Sequence, residues 1–149
     1  MKKILLFIAI IGFGFISSIN AQEISENAIG IRFGDNNGFG GEISYQRKLS
    51  DNNRLEIDLG IRKGDAFKAT GLYQWVWALE NNFQWFAGAG GGIASANSST
   101  AIFGAGVVGI EYNFDIPLAI SLDYRPEIGF SGFYDGFQSD FGLGIRYQF

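Results

Sequence analysis

Glu56 and Asp58 stand two residues apart, so in an extended strand both carboxylates project from one face. A pair of that kind can divide acid and base roles in hydrolysis. The other equipment for catalysis is missing. The 149 residues contain no His and no Cys. A Ser-His-Asp triad, a thiolate nucleophile, a disulfide framework and a Cys-based metal site are therefore excluded. Gly88, Gly90, Gly91 and Gly92 are dense enough for a phosphate loop, but no helical pattern follows them. Asn97-Ser98-Ser99 fits a glycosylation sequon, and a short polar loop explains it equally well. With 11 basic against 15 acidic residues the net charge is −4, which argues against a nucleic-acid partner. The expectation is a protein without catalysis, cofactor or metal site.

A wider set of charges shares a pattern. Arg32, Glu42, Lys48, Glu56, Asp58, Arg62, Glu111, Asp123, Arg125, Glu127, Asp140 and Arg146 all alternate with large apolar residues. Ile57, Leu59 and Ile61 alternate with Glu56, Asp58, Gly60 and Arg62; Ile120, Leu122 and Tyr124 with Ser121, Asp123 and Arg125; Leu143, Ile145, Tyr147 and Phe149 with Gly142, Gly144, Arg146 and Gln148. Period 2 is the signature of a strand with two unlike faces. Turn chemistry separates the runs at Asn36-Asn37-Gly38, Asp51-Asn52-Asn53, Lys63-Gly64-Asp65, Asn81-Asn82, Asn97-Ser98-Ser99, Asp115-Ile116-Pro117 and Ser131–Gly136. Eight strands follow, over about 27–34, 40–49, 54–62, 68–77, 83–93, 103–114, 118–128 and 139–149.

The N-terminus reads differently. Lys2 and Lys3 precede an apolar run from Ile4 to Ile16, and Ser17, Ser18 and Ala21 follow. That is the order of a secretory signal peptide, and the run is shorter than the roughly 20 residues a membrane helix needs. The expected division is 1–21 signal peptide and 22–149 one β domain.

Which face is buried decides the fold. The polar face is rich in Gly, Ser and charges, whereas the apolar face is large and aromatic. A soluble sandwich would turn the apolar face inward. A transmembrane barrel turns it out to lipid, and an eight-stranded barrel has an interior that side chains can fill. An even strand number puts both termini at one end. With that end periplasmic, Tyr45, Trp77, Trp85, Tyr112, Phe114, Tyr147 and Phe149 make one aromatic belt. Phe33, Phe39, Phe67, Phe103, Phe130 and Phe137 make the other. Hairpin pairing then sets Arg32 opposite Glu42 and Lys48 opposite Glu56, with Asp123 diagonal to Arg146. The expected fold is an all-β, eight-stranded, antiparallel up-and-down transmembrane barrel.

With its signal-like start, eight alternating strands and a last strand from Gly142 to a C-terminal Phe149, the chain resembles the small outer-membrane β-barrel family of the OmpA/OmpX type. Trp85–Ile93 followed by Gly104–Phe114 is similar to that family's central hairpin. The resemblance implies location in the bacterial outer membrane after export. It also implies insertion by the barrel assembly machinery, with Tyr147 and Phe149 as the assembly signal. Asn20-Ala21-Gln22 resembles signals common in Bacteroidota. The inward charges read either as a selectivity or proton path or as a salt-bridge plug, and the narrow interior favours the plug. The expected function is a monomeric, non-catalytic barrel in contact with outer-membrane lipid and lipopolysaccharide, with a structural or surface-interaction role. A small pore and a soluble secreted barrel binding an apolar ligand are the alternatives.

Overall fold

The computed structural model describes residues 23–35, 40–62 and 66–149, with Arg62 described for its backbone alone. The signal-like segment 1–21, Gln22, the Asn36-Asn37-Gly38 turn, Phe39 and the Lys63-Gly64-Asp65 turn lie outside the described residues. Eight strands follow in order: β1 Asn27–Gly34, β2 Glu42–Ser50, β3 Asn53–Arg62, β4 Ala66–Ala78, β5 Phe83–Ala96, β6 Ser99–Asn113, β7 Leu118–Gly129 and β8 Gly136–Gln148. A single 3-10 turn, Gly132–Tyr134, lies between β7 and β8. Each strand pairs antiparallel with the next, and β8 returns to β1 through Ile29↔Tyr147 and Ile31↔Ile145, closing the barrel.

Closure leaves no sheet edge, so every strand has a ladder on both sides. The faces divide as the alternation requires. Ile29, Ile31, Ile43, Ile57, Leu59, Ile110, Leu122, Leu143 and Ile145 are exposed on the outer wall, while Arg32, Glu42, Ser44, Glu56, Asp58, Ser121 and Arg146 are buried inside. An apolar outside and an ionic inside is the arrangement of a barrel solvated by hydrocarbon.

Three places differ from the sequence expectation. β5 and β6 run on to Ala96 and Ser99, leaving Asn97 and Ser98 as a two-residue loop at φ 48° and 66°. Left-handed residues in that tight loop match the twist of the flanking strands. Ala94-Ser95-Ala96 and Ser99-Thr100-Ala101 conceal this extension in the sequence, because small residues carry no clear alternation. β8 begins at Gly136 rather than 139. Phe103, expected in an aromatic belt, is 1% exposed and points into the barrel, where its ring packs against that of Tyr134. β6 alternates with its odd residues inward, so Phe103 shares the face of Glu111.

Gly88, Gly90 and Gly92 of β5 share the inward face of Gln84, Phe86 and Ala94. A Cβ on Gly90 would collide with the carbonyl oxygen of Gly71 on β4, whereas one on Gly71 meets no atom within 4 Å. Inward glycines let a strand curve tightly around a small barrel. Gly90→Ala should therefore lose about 1–3 kcal/mol in urea unfolding from lipid vesicles. Gly71→Ala should change stability by less than about 0.5 kcal/mol. Equal effects at the two sites would contradict the close approach of Gly90 to the β4 backbone.

Candidate functional site

Among the described residues, the barrel interior holds two ionic clusters, one toward each end. The one nearer the β7–β8 connection is built on Arg32 of β1, which is wholly buried. Its Nε donates to both oxygens of Asp123 at 3.2 and 3.1 Å, and Nη2 reaches Asp123 Oδ1 at 2.5 Å. Nη1 donates to Asp140 Oδ2 at 2.7 Å and to Glu42 Oε2 at 3.3 Å. A side chain on Gly142 or Gly34 would run into this guanidinium, so those glycines leave the space it occupies. Arg125 of β7 extends the cluster to Asp58 at 2.8 Å, Glu42 at 2.7 Å, Asp140 at 3.0 Å and Glu127 at 3.0 Å. Lys68 of β4 pairs with Glu127 at 2.7 Å and lies 3.8 Å from Glu42. The carboxylates thus bridge cations that arise from opposite walls of the barrel.

Tyr134 covers this cluster. It belongs to the β7–β8 connection yet is 2% exposed. Its hydroxyl donates to Glu127, and its ring packs 5.1 Å from that of Phe103.

The second cluster lies toward the termini. Arg54 donates to Glu111 at 2.8 Å and to Gln74 at 2.7 Å, with its guanidinium 4.8 Å from the Phe86 ring centroid. Arg146 donates to Ser44 at 3.0 Å, Ser121 at 2.8 Å and Glu56 at 3.1 Å; Gln46 donates to Glu56 at 2.5 Å. Ile24 is buried at this end. With Ser25, Arg54, Gln84, Glu111 and Asn113 it lines a void of about 10 Å³, near the smallest that admits one water.

Arg32 and Glu42 are register partners on β1 and β2. Two other expected pairings do not occur. Lys48 does not face Glu56: it is paired with Arg54, and Glu56 faces Gln46. An irregularity between Lys48 and Ser50 shifts the hairpin, and Lys48 sits at the rim with Nζ 3.8 Å from Asp51. Asp123 is not diagonal to Arg146. Its partner on β8 is Gly142, Arg146 faces Ala119, and the Asp123 carboxylate is held by Arg32 across β8. The Arg62 side chain lies outside the described residues.

The sequence reading passed over Arg54, Lys68 and Tyr134. The first two carry the right parity: Arg54 is in phase with Glu56 and Lys68 with Gln74, but each stands near a strand end where alternation is thin. Tyr134 is in a turn, where no periodicity exists to place it. Tyr147 and Phe149 are exposed on the outer wall with rings 6.1 Å apart, and Phe149 exchanges backbone hydrogen bonds with Asn27 at 3.0 and 2.9 Å.

Chemically, Glu56 and Asp58 are not a free carboxylate pair. Each is buried and tied to a different guanidinium, Arg146 and Arg125. Among the described residues, no group of three or more acidic side chains is placed to hold a metal ion.

No protein-family model matches the chain, and no curated protein matches it by sequence. Solved structures do match by fold. The N-terminal β-barrel domain of Pseudomonas aeruginosa OprF superposes with a TM-score of 0.70 at 14% identity, covering 86% of this chain and 100% of that one. A de novo designed transmembrane β-barrel gives 0.63 at 13% identity over 87% and 99%. Neisserial surface protein A gives 0.56 at 13% identity over 83% and 94%. At these identities the likeness is one of fold: an eight-stranded barrel of the outer-membrane type.

Proposed function

We propose that this chain is a non-catalytic, monomeric outer-membrane barrel whose lumen is a salt-bridge plug and whose role is structural. Residues 1–21 serve as its export signal and 22–149 as its barrel domain. Outer-membrane lipid and lipopolysaccharide surround it, and the barrel assembly machinery inserts it, reading Tyr147 and Phe149. The observation that carries the plug is the Arg32–Arg125 cluster, which links β1, β2, β3, β7 and, through Asp140, β8 across the interior. Burying that many charges is tolerable only when each finds a partner. An ionic interior also disfavours a carrier of apolar ligands. The four connections at the end away from the termini are short: residues 35–41, 63–65, 97–98 and 130–135 join their strands. Little of the chain then stands above the membrane, which favours a structural role over surface recognition. The exposed Phe130 and Phe137, at 68% and 65%, are suited to the lipopolysaccharide interface.

Expressed as the full chain in a Gram-negative host, the protein should fractionate with the outer membrane. In detergent it should migrate differently before and after boiling, as the family does. Deleting Phe149 should lower the outer-membrane yield. Recovery as a detergent-independent periplasmic protein would overturn the reading.

A further inference from the structure

The slot that Tyr134 fills has the contacts of a ligand site. Its floor is the Phe103 ring, tilted 38° to the tyrosine at 5.1 Å. The ammonium of Lys68 lies 5.7 Å from the tyrosine ring and 5.2 Å from that of Phe103. A Glu127 oxygen accepts the hydrogen bond of the phenolic hydroxyl. Apolar wall, cation over the π face and carboxylate at the hydroxyl together recognise a hydroxylated aromatic ring. Ala101 and Ala105 share the buried cluster with it.

The tyrosine is brought there by the short β7–β8 connection. Gly132 and Gly136 flank it at φ +64° and +96°, and neither has an atom within 4 Å of where a Cβ would stand. Inside the turn, the Asp135 N–H donates to the Gly132 carbonyl at a long 3.4 Å. Phe133 and Asp135, on either side of Tyr134, are exposed. The Tyr134 carbonyl packs over Gly129 of β7, where a Cβ would collide with it, so the ring is held by its side-chain contacts and by this one backbone approach.

We propose that this slot is a binding subsite for a small hydroxylated aromatic molecule, with Tyr134 as its built-in occupant and residues 132–136 as the latch that withdraws it. The proposal deepens the closed-lumen reading. Beneath the slot Arg125 stays bound to Asp58, Glu42 and Asp140, so an open latch exposes the slot without making a path through the barrel.

The chain has no Cys, so one introduced thiol reports cleanly. Ala105 is the register partner of Glu127, the residue that Tyr134 binds, across β6 and β7, and it shares the buried cluster with Tyr134. Ala105→Cys in detergent-folded protein should react slowly with a small cationic methanethiosulfonate while the protein still runs as the folded band. Adding Tyr134→Ala should raise that rate about tenfold to a hundredfold, the worth of a hydrogen bond to a carboxylate. Phenol should then slow it at lower concentration than fluorobenzene, which has no hydroxyl. Tyr134→Phe keeps the ring and should fall between, which preserves the test if Tyr134→Ala does not fold. The proposal is overturned if the thiol reacts only in the unfolded band, if neither variant changes the rate, or if phenol and fluorobenzene protect equally. None of these outcomes depends on whether the barrel conducts, so the plug and the slot can fail separately.

Discussion

Arg32→Ala should lose about 3–5 kcal/mol of unfolding free energy, read by urea titration of protein inserted in lipid vesicles. The guanidinium binds Asp123, Asp140 and Glu42 at once, and none of the four side chains has appreciable contact with solvent. Its removal leaves Asp123 buried without its cation, while Glu42 and Asp140 keep Arg125, and an unpaired buried charge costs more than the pair contributes when intact. A double-mutant cycle separates the partners. Arg32→Ala with Asp123→Asn should be non-additive by about 0.5–3 kcal/mol, because Asp123 is held through three contacts. Arg32→Ala with Glu42→Gln should couple less, since Glu42 touches Arg32 once at 3.3 Å and also binds Arg125. Additive losses for Arg32 and Asp123 would mean that the two side chains do not meet.

The outer wall carries the second large effect. Leu122 is exposed on β7 between Ile110 of β6 and Leu143 of β8. In the centre of the hydrocarbon layer Leu122→Arg should cost about 2–4 kcal/mol in the same vesicle assay. The neighbouring Ser121 faces inward and accepts from Arg146 at 2.8 Å. Ser121→Thr keeps that hydroxyl and should cost far less. Equal losses at 121 and 122 would contradict the assignment of the two faces.

The division of faces was legible in the sequence because strand parity is unforgiving: a slip of one residue turns a whole strand inside out. Ile57, Leu59 and Ile61 on one side, with Glu56 and Asp58 on the other, admit one orientation once the charges are read as interior. Register was less legible, since it depends on loops and bulges. The first hairpin was symmetric about its turn, and Arg32 met Glu42. The second was shifted by the irregularity at Lys48–Ser50, and Lys48 met Arg54 instead of Glu56. Phe103 misled because an aromatic residue near a strand end suits the membrane interface and the interior alike. Here its ring packs against Tyr134, and a tertiary contact of that kind leaves no trace in local pattern.

Ion conductance through the purified, full-length protein in a planar lipid bilayer bears most directly on the plugged lumen. With Arg32 and Arg125 bridging the interior, Tyr134 above them and Ile24 at the terminal end, insertion should produce no sustained current steps at moderate voltage. Regular steps that scale with salt concentration in the unmodified protein would contradict the plug and favour a small pore.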